Sequence, residues 1–109
     1  MKSGKADKAD WTLPWTLKIL FKQWKLSETQ ALQLSGGPSW LKLESRVALL
    51  FSVDMASRQL FILDQERAYK WLKTPNAVFE GRSALEVMLE EDIEGMRRVL
   101  RYIESELYA

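Results

Sequence analysis

The stretch SWLKLESRVALLFSVDMASRQLF, residues 39–61, decides the fold class of this chain. Its apolar residues, among them Trp40, Leu43, Val47 and Leu50, recur every three or four positions, which places them on one face of an α-helix. The stretch contains neither glycine nor proline, so nothing in it ends the helix. No segment of the chain alternates apolar and polar residues for long, and no Asn-Gly or Asp-Gly turn occurs. The sequence therefore predicts an all-α protein.

Capping signals place shorter helices on both sides of this stretch. Ser27 with Gln30, and Ser83 with Glu86, have the spacing of a capping box, in which each side chain hydrogen-bonds to the backbone N–H of the other residue. Asp64 is a candidate cap for another helix. We expect these additional helices before residue 25, through residues 31–34, over 65–72, through 84–89 and over 93–107.

Two zero counts limit the chemistry of the chain. It has no cysteine, which excludes a disulfide and a thiolate site, and no histidine, which removes the commonest general base and the usual imidazole metal ligand. The acidic run Glu90-Glu91-Asp92 is better explained by the dipole at a helix start than by a metal ion. We therefore expect no catalytic residue, no cofactor and no metal. The enzymatic alternative would need a general acid and base built from carboxylates alone.

The formal charge of +1 is unevenly distributed. Residues 1–52 carry eight lysines and arginines against four acidic residues, whereas residues 53–109 carry eight against eleven. This split either arose by chance or reflects two different surroundings. In the second case, the basic front half lies near an anion and the acidic rear half faces a different partner. The polar first ten residues lack the apolar core of a secretion signal, and no apolar run approaches the roughly 20 residues that span a bilayer. We expect a cytoplasmic protein that does not contact a membrane, with residues 1–12 as a flexible tail.

The front half holds two helices separated by a short connection, as in the opening of a helix-turn-helix. Its candidate DNA-reading residues are Thr29, Gln30 and Gln33. No arginine or lysine accompanies them, although phosphate contacts depend on cations. The two helices are therefore either a DNA-binding element or a hairpin that only packs.

The rear half contains an ordered set of short motifs. AYKWLKTPN at residues 68–76 is followed by FEGRSALEVM at 79–88 and by VLRYI at 99–103. In order and spacing, this set resembles the toxin-binding domain of the Xre/MbcA/ParS antitoxin family. The resemblance covers residues 43–107, and each motif alone would be weak.

The front half resembles the Xre-like domain of the same family, but it is shorter. Its first two helices match, whereas the family's further turn and recognition helix are missing between Gly36 and the long helix. The resemblance implies a degenerate helix-turn-helix at residues 13–42 and a helical toxin-binding domain at 43–109. It also implies that DNA binding is uncertain.

The function implied by the resemblance is that of an antitoxin in a type II toxin–antitoxin system, which binds a RES-domain toxin and occludes the active site that degrades NAD. The family also commonly dimerises, which implies a homodimer or a hetero-oligomer with the toxin. Carried over to this sequence, the docking surface comprises Trp71, Pro75, Asn76, Arg82, Leu85 and Met88. The segment that obstructs the toxin comprises Arg97, Arg101, Tyr102, Glu104, Glu106 and Tyr108.

The residues themselves leave structural alternatives open for several of these positions. Trp71 has the helical spacing of a core residue, and Asn76 is suited to bonding the local backbone. Arg82 can pair either with the acidic helix or with a carboxylate of a partner. Arg97 and Arg101 can pair with glutamates on their own helix or face the toxin. A small DNA-binding transcriptional regulator is the alternative function.

Overall fold

A computed structural model describes residues 15–36, 43–62 and 64–109. These residues form helices α1 (Trp15–Gln23), α2 (Glu28–Ser35), α3 (Leu43–Leu60), α4 (Gln65–Lys73) and α5 (Ala84–Leu107), with a 3-10 turn at Ala77–Phe79. Within the described ranges there is no strand, only an isolated bridge between Asn76 and Arg82. The all-α prediction is confirmed. None of the described helices is long and apolar enough to cross a membrane.

The chain divides into two units, residues 1–47 and 48–109, so the boundary falls within α3. Several sequence predictions concern residues outside the described ranges: the tail at 1–12, the first residues of the predicted helix-turn-helix at 13–14, and the segment 37–42. This last segment includes the predicted beginning of the long helix at residue 39 and the place where the family's recognition helix is expected to be missing.

In the first unit, α1 and α2 each bury apolar side chains. Leu17 and Leu20 of α1, Trp24 directly after it and Leu34 of α2 are almost inaccessible to solvent. The predicted capping box at the start of α2 is confirmed, because the Gln30 N–H donates to Ser27 Oγ at 3.1 Å and Gln30 Oε1 accepts from the Ser27 N–H at 3.0 Å.

The end of α2 is closed by Gly36, whose φ of 99° is the left-handed conformation that favours glycine. The buried Arg46 side chain donates from Nη1 to the Leu34 carbonyl oxygen at 3.3 Å. A Cβ at position 36 would lie only 2.8 Å from Arg46 Nε, so the absence of a side chain there makes room for the guanidinium.

The second unit has its own core, built from α3, α4 and α5. Asp64 caps α4 by accepting from the Arg67 N–H at 3.2 Å, as predicted, and α4 ends at Thr74, directly before Pro75. The side chains that fill this core come from all three helices and from the 3-10 turn. They include Leu50, Val53, Ala68, Leu72, Phe79, Val87, Met88, Met96, Val99 and Ile103.

Helix α5 is broken at Asp92, whose φ of 59° and ψ of −134° are not helical. The break separates a first segment, residues 84–91, from a second segment, residues 93–107. Gly95 lies close to the first segment, because a Cβ on it would overlap the carbonyl oxygen of Val87. The sequence predicts two helices here, and the break at Asp92 is consistent with that prediction.

Candidate functional site

The loop between α4 and α5 is held by Asn76. Its side-chain Oδ1 accepts from the Val78 N–H at 3.0 Å, its backbone N–H donates to the Arg82 carbonyl oxygen at 3.0 Å, and its carbonyl oxygen accepts from the Gly81 N–H at 3.0 Å. The interpretation of Asn76 as a residue that bonds local backbone is confirmed. Pro75 is exposed beside it. The loop therefore presents a defined backbone shape at the surface.

Arg82 forms the centre of an ion-pair cluster. Its guanidinium contacts Glu90 and Glu91 at 2.8 Å each and Glu80 at 3.4 Å. Arg98 binds the same Glu91 carboxylate at 2.8 Å and lies 3.7 Å from Glu80. We call these five residues the Arg82 cluster. Of the two roles that the sequence left open for Arg82, the structure shows the one in which it pairs with the acidic helix.

The electrostatics of the Arg82 cluster follow from these contacts. Hydrogen bonds to Glu90 and Glu91 raise the pKa of the Arg82 guanidinium above its ordinary value. The hydrogen bond from Arg82 lowers the pKa of the Glu91 carboxyl, against an opposing effect of desolvation. The run Glu90-Glu91-Asp92 lies where the first segment of α5 ends and directly before the second segment begins. At the carbonyl end of the first segment the helix dipole disfavours carboxylates, and the arginines compensate.

Four aromatic rings form a second cluster beside the ion pairs. Trp71 of α4 stacks on Tyr102 of α5 with ring centroids 6.2 Å apart and ring planes at 7°. The edge of Phe79 meets Trp71 at 6.4 Å and Tyr102 at 5.6 Å, and Phe61 lies 6.3 Å from Trp71. We call these four residues the aromatic cluster. Because Trp71 and Tyr102 are only half-buried, they pack within the unit and also reach its surface.

The two clusters share a contact through Arg98. Its guanidinium lies over the Phe79 ring, 5.7 Å from the ring centroid, while it also binds Glu91. Arg98, on the second segment of α5, is thereby linked to the loop through Phe79 and to the first segment through Glu91. The position of the second segment therefore depends on both clusters.

A buried charge lies on α3 of the same unit. Asp54 is 1% exposed and pairs with Arg58 at 2.8 Å, one turn along the helix. Burial raises the pKa of the nearby Tyr69 phenol, and the Asp54 charge adds to this effect while Arg58 opposes it. Ser57 donates to the Asp54 carbonyl oxygen at 2.9 Å. These polar residues therefore lie inside the unit, and not on a solvated face of the helix.

Two predicted docking residues belong to the core. Leu85 is 5% exposed and Met88 is fully buried, because residues three apart on the first segment of α5 share its inward face. The two side chains are therefore not on the surface of this structure, and their part in docking stays a prediction. They hold the first segment in place and leave the surface to Pro75, Asn76 and the half-buried Trp71 and Arg82.

The arginines on the second segment of α5 have different partners. Arg97 pairs with Glu94 at 2.6 Å, which is the intrahelical contact that the sequence left open, and Arg98 belongs to the Arg82 cluster. Arg101 is exposed, and no ion pair joins it to another described side chain. Glu104 and Glu106 are exposed as well, and Tyr108 is 77% exposed.

The candidate DNA-reading residues lie on α2. Thr29 and Gln33 are exposed, but the side-chain oxygen of Gln30 is engaged in the capping box with Ser27. Gln30 is therefore only partly available to a base edge. Among the described residues, no group of three acidic side chains is arranged to hold a metal ion.

Sequence reasoning missed several residues of the two clusters, above all Phe61, Phe79, Glu80 and Arg98. Helical spacing could not identify the Glu91–Arg98 pair, because the break at Asp92 interrupts the helix between them. Composition offered one signal for the ion pairs, because glutamates and arginines are concentrated between residues 80 and 98.

The comparisons with known proteins agree with the position of this site. Residues 56–108 match the family model of the antitoxin Xre/MbcA/ParS C-terminal toxin-binding domain, and both clusters lie within them. The chain is also 30% identical, over 111 aligned positions, to the uncharacterized protein y4oB of Sinorhizobium fredii, an alignment that covers 86% of this chain and 85% of that protein. No solved structure matches. Residues 56–108 of the chain therefore belong to the C-terminal toxin-binding domain of the antitoxin Xre/MbcA/ParS family.

Proposed function

We propose that this chain is the antitoxin of a type II toxin–antitoxin system and that it occludes the active site of a RES-domain toxin that degrades NAD. The family supports a toxin as the partner, and the motifs of residues 68–103 support the RES class. Inhibition by occlusion needs only shape and charge, which agrees with a chain that has neither histidine nor cysteine. We place both proteins in the cytoplasm.

The observation that carries the proposal is the state of Arg101. Arg97 and Arg98 are paired within the chain, whereas Arg101 is exposed and forms no ion pair with another described residue. It directly precedes Tyr102, whose ring is held against Trp71. Because the helix that carries Arg101 is held in place, binding this arginine to a partner costs little conformational entropy.

The chemistry of an NAD-degrading site fits what this end of α5 offers. Such a site must bind a pyrophosphate and therefore presents cations, for which the exposed carboxylates of Glu104 and Glu106 are suitable ligands. Arg101 in turn suits a carboxylate of the toxin. Pro75, Asn76 and the exposed part of Trp71 and Arg82 form the docking surface beside this segment in the proposal.

Co-expression with the RES-domain protein of the neighbouring reading frame tests the proposal. The wild-type chain should restore growth and co-purify with that protein, and deletion of residues 101–109 should abolish both effects. Arg101→Glu should weaken the complex, whereas the matched charge reversal Lys22→Glu on the exposed face of α1 should not. If the deletion variant still restores growth and binds, occlusion by this segment is wrong.

We also propose that the chain self-associates, either as a homodimer or within a hetero-oligomer with the toxin. Trp15 is 72% exposed and Ile19 is 40% exposed, and these residues lie one turn apart on α1. Trp15→Ser should therefore lower the molar mass measured by light scattering. If the wild-type chain alone is already monomeric and Trp15→Ser leaves its mass unchanged, the homodimer is wrong.

A further inference from the structure

A groove lies between α3 and the end of α5, within the second unit. Its volume is about 320 Å³, and it is lined by Phe51, Met55 and Gln59 on one side and by Glu104 and Tyr108 on the other. None of these residues belongs to the Arg82 cluster or to the aromatic cluster. Pockets that enclose a whole small-molecule ligand begin at about this volume, and this one is open, so it suits a protruding side chain better than a free ligand.

The walls of the groove expose apolar surface. Met55 is 55% exposed and Tyr108 is 77% exposed, so both walls present side-chain surface to solvent. Methionine adapts its shape to an incoming group, and the face of a tyrosine ring attracts cations as well as apolar groups. An occupant of this groove therefore needs an apolar stem.

The charged side chain among those that line the groove is the carboxylate of Glu104. Glu106 is exposed in the same helical turn, and the last turn of α5 contains no basic residue. The carbonyl end of a helix adds a partial negative charge to these carboxylates. An occupant therefore needs a cationic head, and lysine and arginine combine such a head with an apolar stem.

We infer that this groove receives a lysine or arginine side chain from the toxin. The toxin is the occupant because four of the seven lining residues, among them Glu104 and Tyr108, lie within residues 56–108, which the family model describes as toxin-binding. The groove is also continuous with the end of α5, since Arg101, Glu104 and Tyr108 share one helical face. The inference rests on the proposed function only in taking the partner to be the toxin, and it adds Met55, on α3, to the surface that selects this partner.

The test compares matched variants in binding to a catalytically inactive form of the RES-domain protein used above. Met55→Ala and Glu104→Lys should each weaken binding by about tenfold, because one removes the apolar wall and the other reverses the charge. The controls are Ile62→Ala, an apolar residue that is 86% exposed, and Glu66→Lys, an exposed glutamate on α4. Thermal unfolding should show that all four variants remain folded, since all four positions are on the surface.

The outcomes separate this inference from the proposed function. Loss of binding in Met55→Ala and Glu104→Lys, with binding retained in the controls, supports the groove. If all four variants bind as the wild type does, the toxin is bound but the groove inference is overturned. If the wild-type chain does not bind this protein, the RES assignment fails, and the groove is then tested with a peptide.

The peptide test uses the dipeptide Ac-Leu-Arg-NH₂ with the full chain and Ac-Leu-Glu-NH₂ as its control. The arginine peptide should shift the NMR signals of the Met55 methyl group and the Tyr108 ring, and Glu104→Lys should abolish these shifts. The glutamate peptide should leave the signals unchanged. Equal shifts with both peptides, or none with the arginine peptide, would overturn the inference independently of any toxin.

Discussion

Tyr102 stacks on Trp71 with ring planes 7° apart, and this contact joins the second segment of α5 to α4. Phe79 meets both rings with its edge, so the loop that precedes α5 is part of the same arrangement. Because Arg101 directly precedes Tyr102, the stacked rings determine where the proposed toxin-contacting arginine lies. Tyr102 therefore contributes to the packing of the unit and, in the proposal, also to the position of Arg101 at the surface that contacts the toxin.

Replacing Tyr102 tests the contribution of this stack to stability. Tyr102→Ala should lower the free energy of unfolding by about 2 kcal/mol, since it removes a half-buried ring and its aromatic contacts. Urea denaturation measures the change. Tyr108→Ala, at a position that is 77% exposed, should stay within about 0.5 kcal/mol of the wild type. Equal losses in both variants would contradict the structural role given to Tyr102.

The backbone at Asp92 provides a second test. Its φ of 59° with ψ of −134° is a conformation that glycine adopts far more readily than other residues. Asp92→Gly and Asp92→Ala both remove the carboxylate, so their comparison isolates the backbone strain, and the glycine variant should be the more stable by about 1–2 kcal/mol. At Glu94, inside the helix, the same pair should show the reverse order by about 1 kcal/mol. Chemical denaturation distinguishes the two patterns.

Gly95 is expected to be intolerant of a side chain. A Cβ there would overlap the Val87 carbonyl oxygen, and that atom is backbone and cannot turn away. Gly95→Ala should therefore lower the free energy of unfolding by about 2–3 kcal/mol, as overpacking does. Gly81→Ala serves as the comparison, because a Cβ at Gly81 meets no atom within 4 Å and only the φ of 88° opposes it. Its loss should be about 1 kcal/mol.

The Arg82 cluster should make stability sensitive to acid. The folded protein lowers the pKa of Glu91 below its ordinary value of 4.5, so the stabilisation is complete above that value and is lost as the pH falls through the folded-state pKa. Unfolding free energies measured from neutral pH downward should therefore decline below about pH 4.5. In Glu91→Gln this decline should be shallower, whereas Glu66→Gln, which removes an exposed carboxylate outside the cluster, should keep the wild-type slope. A wild-type slope in Glu91→Gln would show that the cluster does not contribute.

Local signals allowed much of the fold to be predicted. The capping boxes at Ser27 and Ser83 and the cap at Asp64 were readable because their partners lie three residues away. The loop-forming role of Asn76 was also readable, for the same reason. The burial of Leu85 and Met88 was not predictable from the family motif that contains them, because a motif carries no information about which face of its helix is buried.

Local sequence was enough to predict the helices and their caps, to exclude chemistry that needs histidine or cysteine, and to show the resemblance to an antitoxin family. Tertiary structure alone decided which arginines are paired, which aromatic rings meet, and that a groove opens beside Met55 and Glu104. The physical reason is the range of the interactions. Caps and helical periodicity act over three or four residues. The stack of Trp71 on Tyr102 instead joins two helices, and the sharing of Glu91 by Arg82 and Arg98 joins the loop to both segments of α5.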